Sequence, residues 1–121
     1  MRDDLAFAWA AGLFEGEGSI VYGPRDGGVR RRLTLGMTDE DVIGRFYETV
    51  GVGHLNGPYE RFSNGKPVKP MYNWAVNSWD DLEPLLRRML PFLGARRGDK
   101  ARMLLADPSP RPGRPPRIEA P

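Results

Sequence analysis

Residues 9–20 read Trp9-Ala10-Ala11-Gly12-Leu13-Phe14-Glu15-Gly16-Glu17-Gly18-Ser19-Ile20. The stretch begins as a helix of small and apolar residues and ends in two carboxylates separated by one glycine. The C-terminus of a helix carries partial negative charge, so acidic side chains there are disfavoured. Two glutamates at that end point to something positive beside them. A divalent cation is the first candidate, because hard cations take oxygen ligands. The other reading is a solvated helix exit.

Working outward, residues 4–15 read as a helix that Asp3 or Asp4 can cap. Gly16 and Gly18 can end it in left-handed conformations. Residues 18–23 then read as a strand, Pro24 to Gly28 as a turn, and Val29 to Met37 as a returning strand with Leu33 and Leu35 on one face. Thr38 and Asp41 have capping-box spacing before a helix that runs to about Val50, with Val42, Ile43, Phe46 and Tyr47 inward. A second hairpin follows over 54–62 and 69–77, joined by a turn that carries Asn64-Gly65. Trp79 opens a helix bearing Leu82, Leu85, Leu86, Met89 and Leu90, which Pro91 breaks or bends. Residues 99–106 give a last helical piece. The pattern supports an α+β domain with two hairpins over residues 1–106. The Pro- and Arg-rich stretch 107–121 is expected to be a disordered tail.

A chain of 121 residues forms one domain with a modest core. It has no apolar run long enough to span a membrane, and early Asp3 and Asp4 break the order of a signal peptide. The absence of cysteine excludes disulfides and thiolate metal sites and fits a cytoplasmic protein. A single histidine, His54, argues against a His-rich zinc centre. The net charge is only +2, yet Arg25, Arg30, Arg31 and Arg32 face one Asp26 within eight residues. A second basic run holds Arg96, Arg97, Lys100, Arg102, Arg111, Arg114 and Arg117. Basic patches under a small net charge fit a nucleic-acid partner better than a membrane.

Residues 10–18, Ala-Ala-Gly-Leu-Phe-Glu-Gly-Glu-Gly, resemble the motif of the LAGLIDADG homing endonucleases. The likeness covers Ala11-Gly12-Leu13, both acidic positions and the closing glycine. Ala10 stands at the first motif position, and both acids are Glu rather than Asp. The motif occurs once, which in that family implies a homodimer. The resemblance also implies an αββαββα fold whose four-stranded antiparallel sheet forms a DNA-binding saddle. It implies a site-specific double-strand DNA endonuclease that hydrolyses phosphodiester bonds with Mg²⁺ or another divalent ion such as Mn²⁺, and takes no small-molecule cofactor. The alternative is a LAGLIDADG-like protein that binds DNA or structured intron RNA without cutting, as a maturase or regulator. Such a protein is expected in the cytoplasm, encoded by a bacterium or phage, or in an organelle.

By the same resemblance, Glu17 is the metal ligand and catalytic acid position, with the Gly16 carbonyl as a further ligand. Glu15 is either a second ligand or a partner for backbone amides near the dimer seam, and the resemblance favours the structural role. Pro91-Phe92-Leu93 leads to Arg96, where the family usually has a catalytic lysine, with Arg97 as the neighbouring alternative. Arginine stays protonated, so it acts electrostatically and not as a base. Ala8, Ala11 and Gly12 form a small-residue stripe that lets two helices approach closely, and with Glu15 they make the expected dimer interface. Candidate DNA contacts are Tyr22, Arg25, Arg30, Arg32, Tyr59, Arg61, Lys66, Lys69, Tyr72, Asn73 and Arg97. Strand alternation is expected to send about half of the hairpin residues toward the helices instead. The family often has a glutamine before its second helix. This chain has none, and neither Thr38 nor Asp39 is assigned that role.

Overall fold

Two Asx-Gly pairs set the hairpins. In the computed structural model, which describes residues 2–113, Asp26 and Gly27 have φ of 45° and 81°, and Asn64 and Gly65 have φ of 52° and 78°. Positive φ at both central residues is the type I′ geometry, whose twist matches that of the flanking strands. Each hairpin therefore closes on two residues, and the first turn is tighter than Pro24–Gly28. The order of elements is α1 (Arg2–Glu17), β1 (Gly18–Arg25), β2 (Gly28–Met37), α2 (Glu40–Val50), β3 (His54–Ser63), β4 (Lys66–Val76) and α3 (Trp79–Met89). A 3₁₀ turn (Leu90–Phe92) and α4 (Ala95–Ala106) follow. No helix among the described residues is long and apolar enough to cross a membrane.

The strands form one antiparallel sheet in the order β1-β2-β4-β3. The two inner strands pair only through Leu33–Met37 against Tyr72–Val76. Beyond that short central section each hairpin continues as a two-stranded arm. The helices cover one face, where Phe14, Leu33, Leu35, Ile43, Phe46, Trp74 and Leu86 are buried. The Trp74 ring meets Phe46 and Phe14 edge-on, and its indole N–H donates to the Val52 carbonyl. A buried Trp needs such a partner.

Several local expectations are corrected. Helix α1 starts at Arg2, so Asp3 and Asp4 lie inside its first turn rather than capping it. It also runs through Gly16 to Glu17 and passes straight into β1, and neither Gly16 nor Gly18 has positive φ. Gly18 is required for space instead, because a Cβ there would overlap the Phe14 ring. The Thr38–Asp41 capping box does not form: Asp39 is the N-cap and makes no side-chain cap bond. The first-turn acids Glu40 and Asp41 complement the helix dipole in its place. Tyr47 is 36% exposed, whereas Ile43 and Phe46 are inward as expected. Helix α4 begins four residues earlier than the 99–106 reading.

The expected disordered tail is ordered over its first part. Residues 107–113 form a strap along β2: Pro110 accepts from the Val29 N–H at 2.8 Å and Asp26 accepts from the Gly113 N–H at 3.1 Å. Residues 114–121 lie outside the described residues.

Gly18→Ala is expected to lower stability by about 1–3 kcal/mol, the usual cost of overpacking a filled core. Chemical denaturation of both proteins checks it, and an unchanged midpoint would contradict the Phe14 contact.

Candidate active site

The chain leaves α1 and enters β1 with no connecting loop. Arg97, near the start of α4, braces this junction. Its Nε and Nη2 donate to the Gly18 carbonyl at 3.1 and 2.9 Å, and its Nη1 lies 3.3 Å from Glu15 Oε2. Glu15 Oε1 accepts from the Gly94 N–H at 2.8 Å. The cation anticipated beside the two glutamates is therefore, for Glu15, a guanidinium. Glu15 is thus tied to a backbone amide and a guanidinium, and the Arg97 fork, expected among the DNA contacts, is engaged within the chain.

Glu17 and Arg96 are left over. Both are exposed, and neither makes a hydrogen bond or ion pair among the described residues. Consecutive helical residues point about 100° apart, so Arg97 can turn inward while Arg96 stays free. Gly16, also exposed, precedes Glu17 in the last turn, where carbonyls lack intrahelical acceptance. No three His, Cys, Asp or Glu side chains among the described residues are grouped to hold a metal ion.

Helix α1 has two apolar sides. Phe7, Ala10, Ala11 and Phe14 face the core, and Ala11 is fully buried. Ala11 therefore drops out of the expected dimer stripe. The outward side carries Leu5, 74% exposed, half-buried Ala8, and exposed Gly12 and Gly16. A Cβ at Gly12 or Gly16 would meet no atom within 4 Å. Packing within this chain does not account for glycine at either position.

The sheet face opposite the helices holds Arg30, Arg32, Thr34, His54, Asn56 and Asn73, which alternate with buried positions across the register. Tyr59, Arg61, Lys66 and Lys69 are exposed on the β3–β4 arm, and Arg25 is exposed at the end of β1. Arg61 donates to the Lys69 carbonyl, and Lys69 Nζ lies 4.0 Å from Asp39. Thr34, His54 and Asn56 were missing from the sequence-derived contacts, although alternation with Leu33, Leu35 and Leu55 marks them. Tyr22 and Tyr72 belong to the helix side and leave the contact set. Burial pushes the Tyr72 hydroxyl pKa up, with the Glu40 carboxylate adding to it.

Tyr22 instead anchors the strap, its hydroxyl donating to Asp107 Oδ2 at 2.6 Å. That bond raises the Tyr22 pKa. Hydrogen bonds from the Ser109 hydroxyl, the Tyr22 hydroxyl and the Ser109 N–H hold the Asp107 carboxyl down to about 2. Arg31 Nη2 donates to the carbonyls of Asp107 and Ser109 at 2.8 and 2.9 Å.

Helices on one face of a four-stranded antiparallel sheet made of two hairpins match the fold of the LAGLIDADG homing endonucleases. The chain has their α+β fold. I-CvuI, solved on its target in the presence of calcium, superposes with a TM-score of 0.67 at 24% identity, over 86% of this chain and 66% of I-CvuI. I-CvuI with the I-CreI target and magnesium, its DNA not cleaved, gives 0.64 at 25% identity, over the same shares of each chain. The archaeal intron-encoded I-Vdi141I, complexed with DNA, gives 0.59 at 16%, over 84% of this chain and 64% of that one. The chain thus spans just under two thirds of the length of these proteins. No protein-family model and no curated protein sequence matches it.

Two outcomes follow from the two arginines and from the strap. Arg97→Ala removes three charged hydrogen bonds and is expected to cost about 1.5–3 kcal/mol, while Arg96→Ala stays within about 0.5 kcal/mol. Equal melting points for the two variants would contradict the division of roles. The depressed pKa of Asp107 means that its contribution to stability is present above the ordinary carboxylate range and is lost as pH falls through about 2. A carboxyl titration followed by NMR is expected to find that midpoint, and Tyr22→Phe is expected to raise it.

Proposed function

We propose that two copies of this chain form a divalent-metal-dependent endonuclease that cuts both strands of a specific duplex DNA site. The observation that carries the proposal is the outward side of α1. Leu5, Ala8, Gly12 and Gly16 make a continuous, unfilled apolar side that leads to the unpartnered Glu17. A second copy packed on that side across a two-fold axis fills it, because small residues allow close helix approach and a two-fold interface uses the same patch twice. The same packing brings two Glu17 carboxylates to the ends of adjacent helices.

The residues present fit a hard divalent cation, with Glu17 and the Gly16 carbonyl as oxygen ligands from each copy. Mg²⁺ or Mn²⁺, when bound, polarises the scissile phosphate and lowers the pKa of its water. Glu17 presents its carboxyl group at the helix end, and Glu15, tied to Arg97 and Gly94, fixes that end in place. The Arg96 guanidinium offsets charge that builds on the phosphate in the transition state. Arg25, Arg30, Arg32, Tyr59, Arg61, Lys66, Lys69 and Asn73, joined by Thr34, His54 and Asn56, line a face and arms shaped for the major groove, which accommodates β-ribbons. The neighbouring structures, solved on DNA with calcium or magnesium, support the same reading of partner and metal.

The second reading is binding without cutting. It is favoured by Glu17 and Arg96 where the family usually has Asp and Lys, and by the lack of glutamine. The test is a duplex selected on the protein from a random library and then placed in a supercoiled plasmid. Mg²⁺ is expected to linearise that plasmid. Glu17→Gln is expected to keep the DNA affinity and to lose at least about 10²-fold in rate, the loss of a group that acts in the transition state. Binding with no cleavage in any divalent ion would leave the second reading standing.

A further inference from the structure

The strap closes a pocket that the cleavage chemistry does not use. Strands β2 and β4 pair only from Leu33 onward, so Gly28–Arg32 has β1 on one side and a free edge on the other. Residues 107–113 run along that edge. Between strap and strand lies a cavity of about 320 Å³, lined by Arg25, Arg30, Arg31, Arg32 and Arg111 over Trp79. Asp26 is the single carboxylate among its lining residues, and it is 71% exposed.

The protein satisfies these guanidiniums only in part: Arg31 lies 3.8 Å from Asp107 Oδ1 and over the Trp79 ring, and Arg25 lies 3.7 Å from Asp26 Oδ2. Arg31 is nine-tenths buried; its Nη2 is spent on the strap carbonyls, yet its Nε has no partner. The Nε of Arg32 is likewise buried and unpaired. Among the described residues these two are the buried side-chain nitrogens and oxygens that lack a hydrogen bond, and both belong to this pocket. Buried donors are almost always paired, and gathered cations repel unless an anion lies among them. The strap's course is written into the strand: a Cβ at Gly28 would overlap the backbone carbonyls of Pro110 and Arg111.

We propose that this pocket binds a phosphate group. Guanidinium forks match tetrahedral phosphate oxygens in geometry and charge, and one phosphate offers more acceptors than a carboxylate to donors arriving from both strand and strap. Arg30 and Arg32 also belong to the open sheet face. A backbone phosphate of bound DNA just past the sheet edge is therefore one source, which rests on the function proposed above; a free phosphorylated ligand is the other.

The test follows the arginine Nε–H NMR signals of the full chain as inorganic phosphate is added. Saturable shifts at Arg31 and Arg32 are expected. Arg111→Ala, which removes an exposed side chain and leaves the strap's backbone bonds intact, is expected to weaken that response about tenfold or more. Gly28→Ala, which displaces the strap, is expected to abolish it. No saturable shift, or equal affinity in Arg111→Ala, overturns the proposal. Duplex binding then identifies the source. A salt dependence of log Kd that is shallower by about one in Arg111→Ala assigns the phosphate to the DNA backbone. An unchanged slope in Arg111→Ala, where the unaltered chain binds phosphate and the variant binds it more weakly, assigns it to a free ligand. Failure to bind any duplex, with the phosphate response intact, overturns the endonuclease reading and leaves the pocket standing.

Discussion

Helix α1 buries Phe7, Ala10, Ala11 and Phe14 in the core and turns Leu5, Ala8, Gly12 and Gly16 outward. A helix that is apolar on both sides needs cover on both. This chain covers one. On the proposed pairing a second copy covers the other, and the remaining features follow from it. Glycine at 12 and 16 sets the closeness of approach, the direct passage from α1 into β1 carries that placement into the sheet, and the strand order β1-β2-β4-β3 extends two arms from a short central section. A shift of α1 would move the carboxylates and the side chains of the open sheet face together.

At the end of α1, neighbours in sequence divide the work. Glu15 and Arg97 hold the helix exit to the start of α4, with Gly94 and Gly18 supplying the backbone groups. Glu17 and Arg96, two residues and one residue away respectively, are exposed and have no partner among the described residues. The structural pair places a carboxylate where the helix dipole alone would disfavour it.

Local signals made much of this legible in the sequence. The small-residue helix ending in Glu15-Gly16-Glu17-Gly18 gave the resemblance, and the turn residues of Pro24–Gly28 and the pair Asn64-Gly65 located both hairpins. Long-range contacts escaped it. The division between Glu15 and Glu17 depends on Arg97, 82 positions away from Glu15. Ala11 looked like a surface residue in a small-residue stripe, and only its place against the core shows otherwise. The strap was misread because prolines and arginines resemble a disordered composition. Proline lacks a donor but keeps its carbonyl, and the Pro110 carbonyl accepts from Val29 at the open edge of β2. Tyr22 and Tyr72 are exchangeable with other hairpin aromatics on composition, and strand phase alone decides their side.

The pairing of α1 helices is tested most directly by pulsed electron paramagnetic resonance on Glu17→Cys, spin-labelled at the one cysteine of an otherwise cysteine-free chain. Helices packed about 8–10 Å apart hold their ends together. The account therefore predicts a short, narrow distance between labels on two chains, unchanged on dilution to low micromolar protein. An absence of dipolar coupling between chains, or a broad distribution at long distance, would contradict it.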